Sequence, residues 1–254
     1  MAMYLGNKKV AVTNTIEKQV PSMKAFFEAG GKCAYSTTTS FDGCWQFGDT
    51  ANVKNMASMF YDCKNLTNVP LFDTSKVTKM DSMFKNCSFL STVPLFNTSK
   101  VTDMSSMFHY CYNIANVPLF DTSKVTSMAY MFYNCQNLTT VPQFDTSKVT
   151  SMAYMFTGCS NLATVPLFDT SNVTNMSSMF NVCFSLEAIH MININAHLKI
   201  SDSTKFTREA LLEIIGNLKA QTSGTKTLTM GSTNLAKLTD EDKKIATDKG
   251  WTLA

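Results

Sequence analysis

Hydrophobic and polar positions along this chain repeat with a period of 24 residues. Six phenylalanines recur at this interval without an insertion. Each is preceded directly by a methionine, with a second methionine three residues further back, and each is followed three residues later by a cysteine. Such self-similarity predicts a solenoid, in which units stack and side chains at the same phase form internal columns. The phenylalanines are Phe60, Phe84, Phe108, Phe132, Phe156 and Phe180.

Each unit divides into two halves with different hydrophobic spacing. Residues 77–84 follow the spacing of a helical stripe, and Asp73 and Ser75 before them offer N-cap oxygens. We therefore predict a short helix or 3₁₀ turn in that half. Residues 66–72 contain β-branched and aromatic side chains bounded by turn formers, which predicts a short strand in a parallel ladder. A proline follows the valine in five units, and because proline has no N–H to donate, each strand should end near it.

The repeat divides the chain into three parts. Residues 49–191 are the six-unit solenoid, residues 1–48 an N-terminal segment and cap with a degenerate first coil, and residues 192–254 a C-terminal cap. Caps are expected because the two ends of a repeat array need polar cover. The predicted fold class is an α/β solenoid of short parallel strands and short helices or 3₁₀ turns.

Both predicted caps carry start and stop signals of their own. A helix is expected from about Ser22, with Gly30 as its stop. Near the C-terminus, Thr207 is a predicted N-cap, and Thr239 and Gly250 should begin and end a second helix. The sequence KTLTM between these helices alternates like a strand. The buried face of the first of the two helices is predicted to consist of Leu211, Ile214, Ile215 and Leu218.

Charge does not form a basic surface. The chain has a net charge of +3, but residues 49–191 hold eight lysines, no arginine and nine acidic residues, a net −1. Nucleic-acid binding concentrates positive charge on one face, so we expect no nucleic-acid partner. No apolar run approaches the ~18 residues of a membrane span, and the first residues lack the apolar run of a signal peptide. A surface location would then need another export route.

The repeated string resembles a known bacterial repeat. FDTSKVTSMAYMFYNCQNLTTVP, residues 120–142, is similar to the bacterial surface protein repeat of Mycoplasma and Listeria lipoproteins and Lactobacillus surface proteins, a relative of the BspA-like leucine-rich repeats. The resemblance covers roughly residues 49–191. It implies a curved, right-handed leucine-rich-repeat solenoid with a role in recognition and no attached chemistry. The sequence departs from wall-attached adhesins because it shows no lipobox, sorting signal or membrane anchor.

Two terminal segments resemble a second group of proteins. Residues 4–12 (YLGNKKVAV) and 231–254 (GSTNLAKLTDEDKKIATDKGWTLA) are similar to repeat proteins encoded in tail modules of Firmicute bacteriophages and prophages. A tail protein is made in the cytoplasm and reaches the exterior by assembly and lysis. This resemblance therefore implies a location on the virion or cell surface that needs no signal peptide.

The six cysteines of the repeat are expected to be buried free thiols. Their spacing differs from that of zinc sites, and columns of identical side chains point the same way rather than toward one another. We therefore predict neither a metal site nor disulfides within the column, whose thiols act as small hydrophobic groups. Cys33 and Cys44 lie outside it, and whether they pair stays open. The column consists of Cys63, Cys87, Cys111, Cys135, Cys159 and Cys183.

No constellation of residues predicts catalysis or a cofactor. His109, His190 and His197 occupy different phases or lie outside the repeat, so they cannot form a repeated site. The common nucleophile, zinc and phosphate-loop motifs are absent from the sequence, and we expect no enzymatic activity. Threonine columns that begin at Thr74 and Thr78 resemble the flat threonine rows of ice-binding solenoid proteins. The acidic residues and lysines among them indicate instead that they cap the turn and solvate an edge.

Positions that vary between units carry the candidate binding residues. Residues that the scaffold does not dictate are expected to face outward, where tyrosines suit contact with sugars or proteins. The alternative is an ordinary scatter of aromatic residues over the surface. The candidates are Tyr61, His109, Tyr110, Tyr112, Tyr130, Tyr133 and Tyr154.

Two functions are compatible with these observations. The leading hypothesis is a non-enzymatic recognition or adhesion module, as a phage or prophage tail component or bacterial surface protein, that binds a host-surface glycan or protein or other tail subunits. The second is a structural subunit that assembles into a filament or larger complex through its repeat edges. The two differ in oligomeric state, which the sequence leaves open together with the ligand and the host.

Overall fold

The computed structural model describes residues 2–5, 8–11, 53–69 and 71–254. At the N-terminus, strands β1 (Ala2–Leu5) and β2 (Lys8–Ala11) pair in antiparallel orientation. The predicted N-terminal helix, the degenerate first coil and the question of the Cys33–Cys44 pair lie outside the described residues.

Residues 53–192 form a stack of coils joined by parallel backbone contacts. On one side of each coil, which we call the turn side (residues 80–86 and their equivalents), every second N–H points to the next coil. Phe84 N, for example, donates to Met107 O at 2.9 Å. Because these bonds all run in one direction, turn-side N–H groups face the C-terminal end of the stack. Single bridges along the same side join Asn55, Lys79, Asp103, Ser127, Ser151 and Asn175 in sequence.

The short helix or 3₁₀ turn predicted for residues 77–84 is wrong. Ser82 and Asn86 have left-handed φ angles of 56° and 65°, which interrupt the right-handed backbone of a helix. The residues between them close tight turns instead, so the apolar spacing of three and four reflects a series of turns. Asp73 and Ser75, predicted as N-cap residues, form such a turn, in which Ser75 N donates to Asp73 Oδ1 at 2.9 Å.

The strand predicted for residues 66–72 and its equivalents is found in the last coils of the array. There β3 (Thr164–Asp169) pairs in parallel with β4 (Ala188–Ile192). The equivalent segments of the preceding coils are not assigned as strands in the part of the chain that the structure describes. The prediction that each strand ends near its proline is wrong, because β3 continues through Pro166, where its register with β4 shifts. In an earlier coil, Phe120 N donates to Pro118 O at 3.0 Å.

Phenylalanine fills the core at every twelfth residue from Phe60 to Phe180. Phe84 and Phe108 stack with ring centroids 5.7 Å apart and planes 9° from parallel, so the predicted internal column is confirmed. A second column faces it, and the centroids of Phe84 and Phe96 are 6.2 Å apart. The sequence reading missed this column because it followed the longer period alone. Its members are Phe72, Phe96, Phe120, Phe144 and Phe168.

The two threonine columns differ in burial. Thr126 and its equivalents are exposed, and Thr126 Oγ1 donates to Thr102 O in the preceding coil at 3.1 Å. Thr122 and its equivalents are buried, so the prediction that this column solvates an edge is wrong. Thr122 Oγ1 donates to Asp145 O in the next coil at 2.9 Å, which pairs both groups inside the stack. The buried column consists of Thr74, Thr98, Thr122, Thr146 and Thr170.

Residues 198–254 contain a small parallel sheet and three helices. None of the helices within the described ranges has the length and hydrophobicity that crossing a bilayer requires. The elements are β5 (Leu198–Lys199), α1 (Arg208–Gly216), β6 (Lys226–Thr229), α2 (Gly231–Leu235), α3 (Asp240–Asp248) and β7 (Trp251–Leu253). The strand order is β5-β6-β7, and β6 is the strand predicted from the sequence KTLTM.

The predicted helix signals of this region are confirmed. At the start of α1, Thr207 Oγ1 accepts from Ala210 N at 3.2 Å. At the start of α3, Thr239 and Asp242 form a reciprocal capping box, and Gly250 follows the helix with a φ of 77°. The predicted apolar face is buried and consists of Leu211, Ile214, Ile215 and Leu218.

The hydrogen bonds between turn-side N–H groups and the next coil form a ladder along the stack. A carboxylate accepts the last of these N–H groups at the C-terminal end. Val182 N donates to Asp202 Oδ2 at 2.9 Å, and Lys199 Nζ lies 3.1 Å from Asp202 Oδ1. Partial burial raises the pKa of Asp202, but the hydrogen bonds from Val182 and Lys199 outweigh it and hold that pKa below its ordinary value. The ladder therefore ends on a negative charge that accepts an otherwise unpaired N–H.

Candidate recognition surface

Six of the seven predicted binding residues lie together on or beside the turn side of three consecutive coils. Tyr61 is not among them, because it lies two coils before His109 at the equivalent position, which Lys85 occupies in the coil between. We call the six residues the aromatic cluster. It consists of His109, Tyr110, Tyr112, Tyr130, Tyr133 and Tyr154.

The rings of the aromatic cluster contact one another directly. The ring centroids of His109 and Tyr133 are 4.6 Å apart in an edge-to-face arrangement, and those of Tyr110 and Tyr133 are 5.5 Å apart with planes at 88°. Tyr130 and Tyr154 stack instead, 4.7 Å apart and 8° from parallel. Both arrangements are favourable for aromatic pairs, so the cluster packs as one unit.

The register of the coils accounts for the stacked pair. Tyr130 and Tyr154 are equivalent residues of neighbouring coils, and Tyr130 N donates to Ala153 O at 2.9 Å. Backbones joined by such bonds lie about 4.8 Å apart. Because this spacing is close to the stacking distance of two rings, equivalent tyrosines lie face to face.

Three tyrosines of the cluster occupy left-handed backbone positions. Their φ angles are 62° at Tyr110, 59° at Tyr130 and 58° at Tyr154. This conformation disfavours bulky side chains by about 1 kcal/mol or more. The fold itself does not demand rings there, since most other coils use small or turn-forming residues. The equivalents of Tyr130 and Tyr154 are Ser58, Ser82, Ser106 and Ser178, and those of Tyr110 are Asp62, Asn86, Asn134, Gly158 and Val182.

His109 is held neutral within the cluster. Among the residues that the structure describes, its buried Nδ1 has no hydrogen-bond partner. Burial, with the positive charge of Lys85 as the smaller cause, lowers the pKa of His109 from 6.5 to about 4. At pH 7 the imidazole therefore carries no charge and contributes a ring rather than an ionic contact.

The phenol of Tyr133 keeps its proton at neutral pH. Burial, and next the neighbouring phenols of Tyr110 and Tyr130, raise the pKa of Tyr133 above its ordinary value. A protonated phenol both donates and accepts hydrogen bonds. Tyr112 and Tyr130 each leave 37% of their surface exposed, so the cluster presents rings and hydroxyls to solvent.

The coils that carry the aromatic cluster have long uncharged segments. Residues 104–120, 125–144 and 149–168 include no Lys, Arg, Asp or Glu, whereas the coil before them carries Asp81 and Lys85. These segments are therefore neutral, with amides and hydroxyls as their exposed polar groups. The exposed amides of these segments are Asn113, Asn116, Gln136, Asn137, Gln143 and Asn161.

A family profile matches the chain over two overlapping stretches, residues 22–140 and 111–209. The family is described as Mycoplasma protein of unknown function, DUF285. Together the two stretches span more than half of the sequence. This chain belongs to the DUF285 family. The DUF285 chain is thus a repeat protein, in agreement with the repeat resemblance of its sequence.

No curated protein matches this DUF285 chain. Among solved structures, it is similar to the leucine-rich repeat protein of T. pallidum (TpLRR), which is known from a crystal structure. The two are 14% identical, the match covers 78% of the DUF285 chain and 77% of the other chain, and the TM-score is 0.39.

Five of the six repeat cysteines of the DUF285 chain are buried free thiols, as predicted, and Cys63 is partly buried. They also have a role that the sequence reading missed, because each of these five donates to a main-chain carbonyl of the preceding coil. Cys183 Sγ, for example, lies 3.0 Å from Phe156 O. Burial raises the pKa of Cys183 to about 12, which leaves it protonated at neutral pH. The five are Cys87, Cys111, Cys135, Cys159 and Cys183.

The two remaining histidines make contacts away from the aromatic cluster. His190 Nδ1 lies 2.7 Å from Glu213 Oε1. His197 Nδ1 accepts from Thr227 N at 3.0 Å. The structure thus gives the three histidines separate surroundings, as the repeat phases predicted.

A column of exposed leucines forms a second surface feature of this DUF285 protein. Leu95 and Leu119 are each 60% exposed although their position repeats regularly, and Gln143 interrupts the column. Regular repetition made these leucines look like part of the core, which is why the sequence reading did not single them out. The leucine column consists of Leu71, Leu95, Leu119 and Leu167.

Proposed function

We propose that this protein is a non-enzymatic recognition module, built as a right-handed, leucine-rich-repeat-like solenoid of 24-residue units with N- and C-terminal caps. In this proposal the aromatic cluster contacts a host-surface glycan or protein. One observation carries it: six rings pack together although three of their tyrosines occupy left-handed positions, where the fold itself accepts smaller residues. Departures from local backbone preference of this kind are concentrated at functional sites.

The solenoid supports such a role because it fixes the rings before a ligand arrives. Main-chain bonds such as Tyr110 N to Tyr133 O, at 2.8 Å, hold the register of the coils that carry them. A preorganised surface loses little conformational entropy on binding. Tyrosine is also enriched among the residues that dominate binding energy at interfaces.

We place the module in a phage or prophage tail, or on a bacterial surface, as part of the same proposal. The support is the resemblance of residues 4–12 and 231–254 to tail-module proteins, together with the bacterial repeat family to which the chain belongs. Its partners would then be a host-surface molecule and the neighbouring subunits of the tail or surface assembly.

Sedimentation of the full-length protein with whole bacterial cells tests the recognition function. The double variant Tyr130→Ser/Tyr154→Ser introduces the residue that four other coils have at this position. It therefore removes two rings without adding strain at the left-handed backbone positions. Phe89→Ser is the matched control, because it removes an exposed ring outside the cluster. We expect wild type and control to sediment with cells of a Firmicute panel and the double variant to stay in solution. A wild-type protein that binds neither cells nor their wall fragments would overturn the proposal.

The leucine column favours a second candidate function, a structural subunit that joins others into a filament or larger complex. Contiguous exposed apolar side chains of this kind often mark contacts between proteins. Size-exclusion chromatography with light scattering tests it, with Leu95→Ser/Leu119→Ser as the variant. A mass that rises with concentration in wild type but not in the variant supports assembly. A constant monomer mass rules it out.

A further inference from the structure

We propose that the ligand of the aromatic cluster is an uncharged glycan, one of whose sugar rings stacks on Tyr154 above Ser178 and takes the place of a third tyrosine in the column. This inference rests on the proposed recognition function and adds the chemical class of the ligand and the position of one subsite.

The column of stacked phenols stops at a defined place. Tyr130 and Tyr154 stack 4.7 Å apart, and the next equivalent residue is Ser178. Tyr154 N donates to Ser177 O at 2.9 Å, so the coil of Ser178 follows at the same backbone spacing. One ring position is therefore missing where the coils themselves continue.

The missing ring position, which we call the open position, lies beside Tyr154 above Ser178 and can be reached from solvent. Tyr154 and Ser178 are both half-buried. Among the ring contacts of residues 71–254, Tyr154 has one, with Tyr130, which covers one of its two faces. A serine side chain is too short to stack on the other face, so Ser178 leaves unfilled the ring position that a tyrosine would occupy in this column.

The charge pattern selects the class of ligand. Residues 125–144 and 149–168 contain no charged side chain, and His109 is neutral at pH 7. Lys199 and Asp202, which hydrogen-bond to Asn181 and Val182 in the coil of Ser178, already pair with each other at 3.1 Å. A charged ligand would lose hydration here without gaining a partner of opposite charge, which is unfavourable.

The remaining polar groups match the hydroxyls of a sugar. Exposed amides, which both donate and accept hydrogen bonds, lie on the coils of the cluster at Gln136, Asn137 and Asn161. The phenols add hydroxyls, and their rings offer apolar faces to the C–H face of a pyranose. Protein partners are less well matched, because their recognition sites commonly use arginine and ion pairs at the rim.

Two variants test the subsite with opposite changes. Tyr154→Ser removes the stacking face, whereas Ser178→Tyr fills the open position with a third phenol on a backbone of φ 52°, close to the 58° of Tyr154. Isothermal titration with neutral hexasaccharides (chitohexaose, cellohexaose and maltohexaose) and with acidic ones (hexagalacturonate and a heparin hexasaccharide) gives the readout. Unchanged far-UV circular dichroism and melting temperature establish that both variants are folded.

We expect at least one neutral hexasaccharide to bind wild type, and both variants to weaken its binding by about two- to tenfold, the effect of losing one stacking contact. The control Phe89→Ser should bind as wild type does. The inference is overturned by tighter binding of the acidic sugars, by wild-type affinity in Ser178→Tyr, or by no neutral sugar binding at all.

Treated cells separate this inference from the proposed function. Cells digested with proteinase K should still bind the protein, and cells oxidised with periodate, which cleaves sugar diols, should not. If proteinase K abolishes binding that the double variant Tyr130→Ser/Tyr154→Ser also abolishes, the recognition function stands and the ligand is a protein. If wild type binds no cells at all, the recognition function itself fails.

Discussion

The thiol of Cys135 donates to the main-chain carbonyl of Phe108 in the preceding coil, with sulfur and oxygen 3.0 Å apart. The same contact recurs in the other buried members of the cysteine column, so every such thiol ties one coil to the phenylalanine column of the coil before it. The Phe108 carbonyl also accepts from Cys111 N at 3.0 Å, so the thiol supplies a second hydrogen bond to this buried oxygen, which alanine cannot do.

We predict that Cys135→Ala lowers the free energy of unfolding by about 2 kcal/mol, because it removes a buried sulfur and the second hydrogen bond of the Phe108 carbonyl, which keeps only its bond from Cys111 N. Cys135→Ser keeps a donor and should cost less than the alanine variant. Urea unfolding followed by circular dichroism measures both changes. Equal stabilities of the two variants would mean that the thiol contributes packing alone.

We predict that the two threonine columns respond differently to the same substitution. Thr122→Val removes the buried hydroxyl that donates to Asp145 O, so it should lower the free energy of unfolding by about 1–2 kcal/mol. Thr126→Val changes an exposed hydroxyl in the same coil and should stay within about 0.5 kcal/mol of wild type. Urea titration of the two variants side by side provides the measurement. A larger loss in Thr126→Val would contradict the buried role of the first column.

We predict a pH-dependent part of the stability that comes from His109. Its pKa is about 4 in the folded protein and about 6.5 in the unfolded chain, so the unfolded chain binds the proton more readily between these values. Stability should therefore fall as the pH is lowered from about 6.5 to about 4, and His109→Phe should remove this part of the fall. Thermal melts of both proteins across this pH range test the sign. Parallel curves for the two proteins would exclude His109 as the source.

We predict that Tyr110→Asn separates stability from binding. Asparagine is found at the equivalent positions Asn86 and Asn134, where φ is 65° and 57°, and it tolerates the left-handed backbone better than tyrosine does. The variant should keep the melting temperature within a few degrees of wild type, because the relieved strain offsets the lost ring contacts. Its binding to cells should weaken. A variant that melts far below wild type would show that the ring at this position supports the fold.

The internal columns could be predicted from the sequence because side chains at one phase of a stacked coil must meet. The backbone that carries them could not, since spacings of three and four residues arise from a helix and equally from a series of turns. A clue was present, however. Asp62, Asn86, Asn134 and Gly158 share one phase, and these residue types favour a left-handed backbone.

The candidate site was predictable to a different degree. Six of its proposed members were found because they interrupt an otherwise strict repeat, and their mutual contacts follow from the coil spacing. The leucine column was missed for the opposite reason. Leu95 and Leu119 belong to a column that repeats with the period of the core, although Gln143 interrupts it, yet they are exposed. Regularity alone therefore does not distinguish a buried column from an exposed one.

The one-way orientation of the turn-side hydrogen bonds has a consequence for how such a protein changes in evolution. A whole coil inserted in the middle of the stack finds the same donors below it and the same acceptors above it, so neither end has to be rebuilt. Each insertion would carry the aromatic cluster about 4.8 Å further from one terminus. The reach of a recognition surface could thus lengthen or shorten in equal steps, as a gene gains or loses one repeat, while the Asp202 closure stays the same.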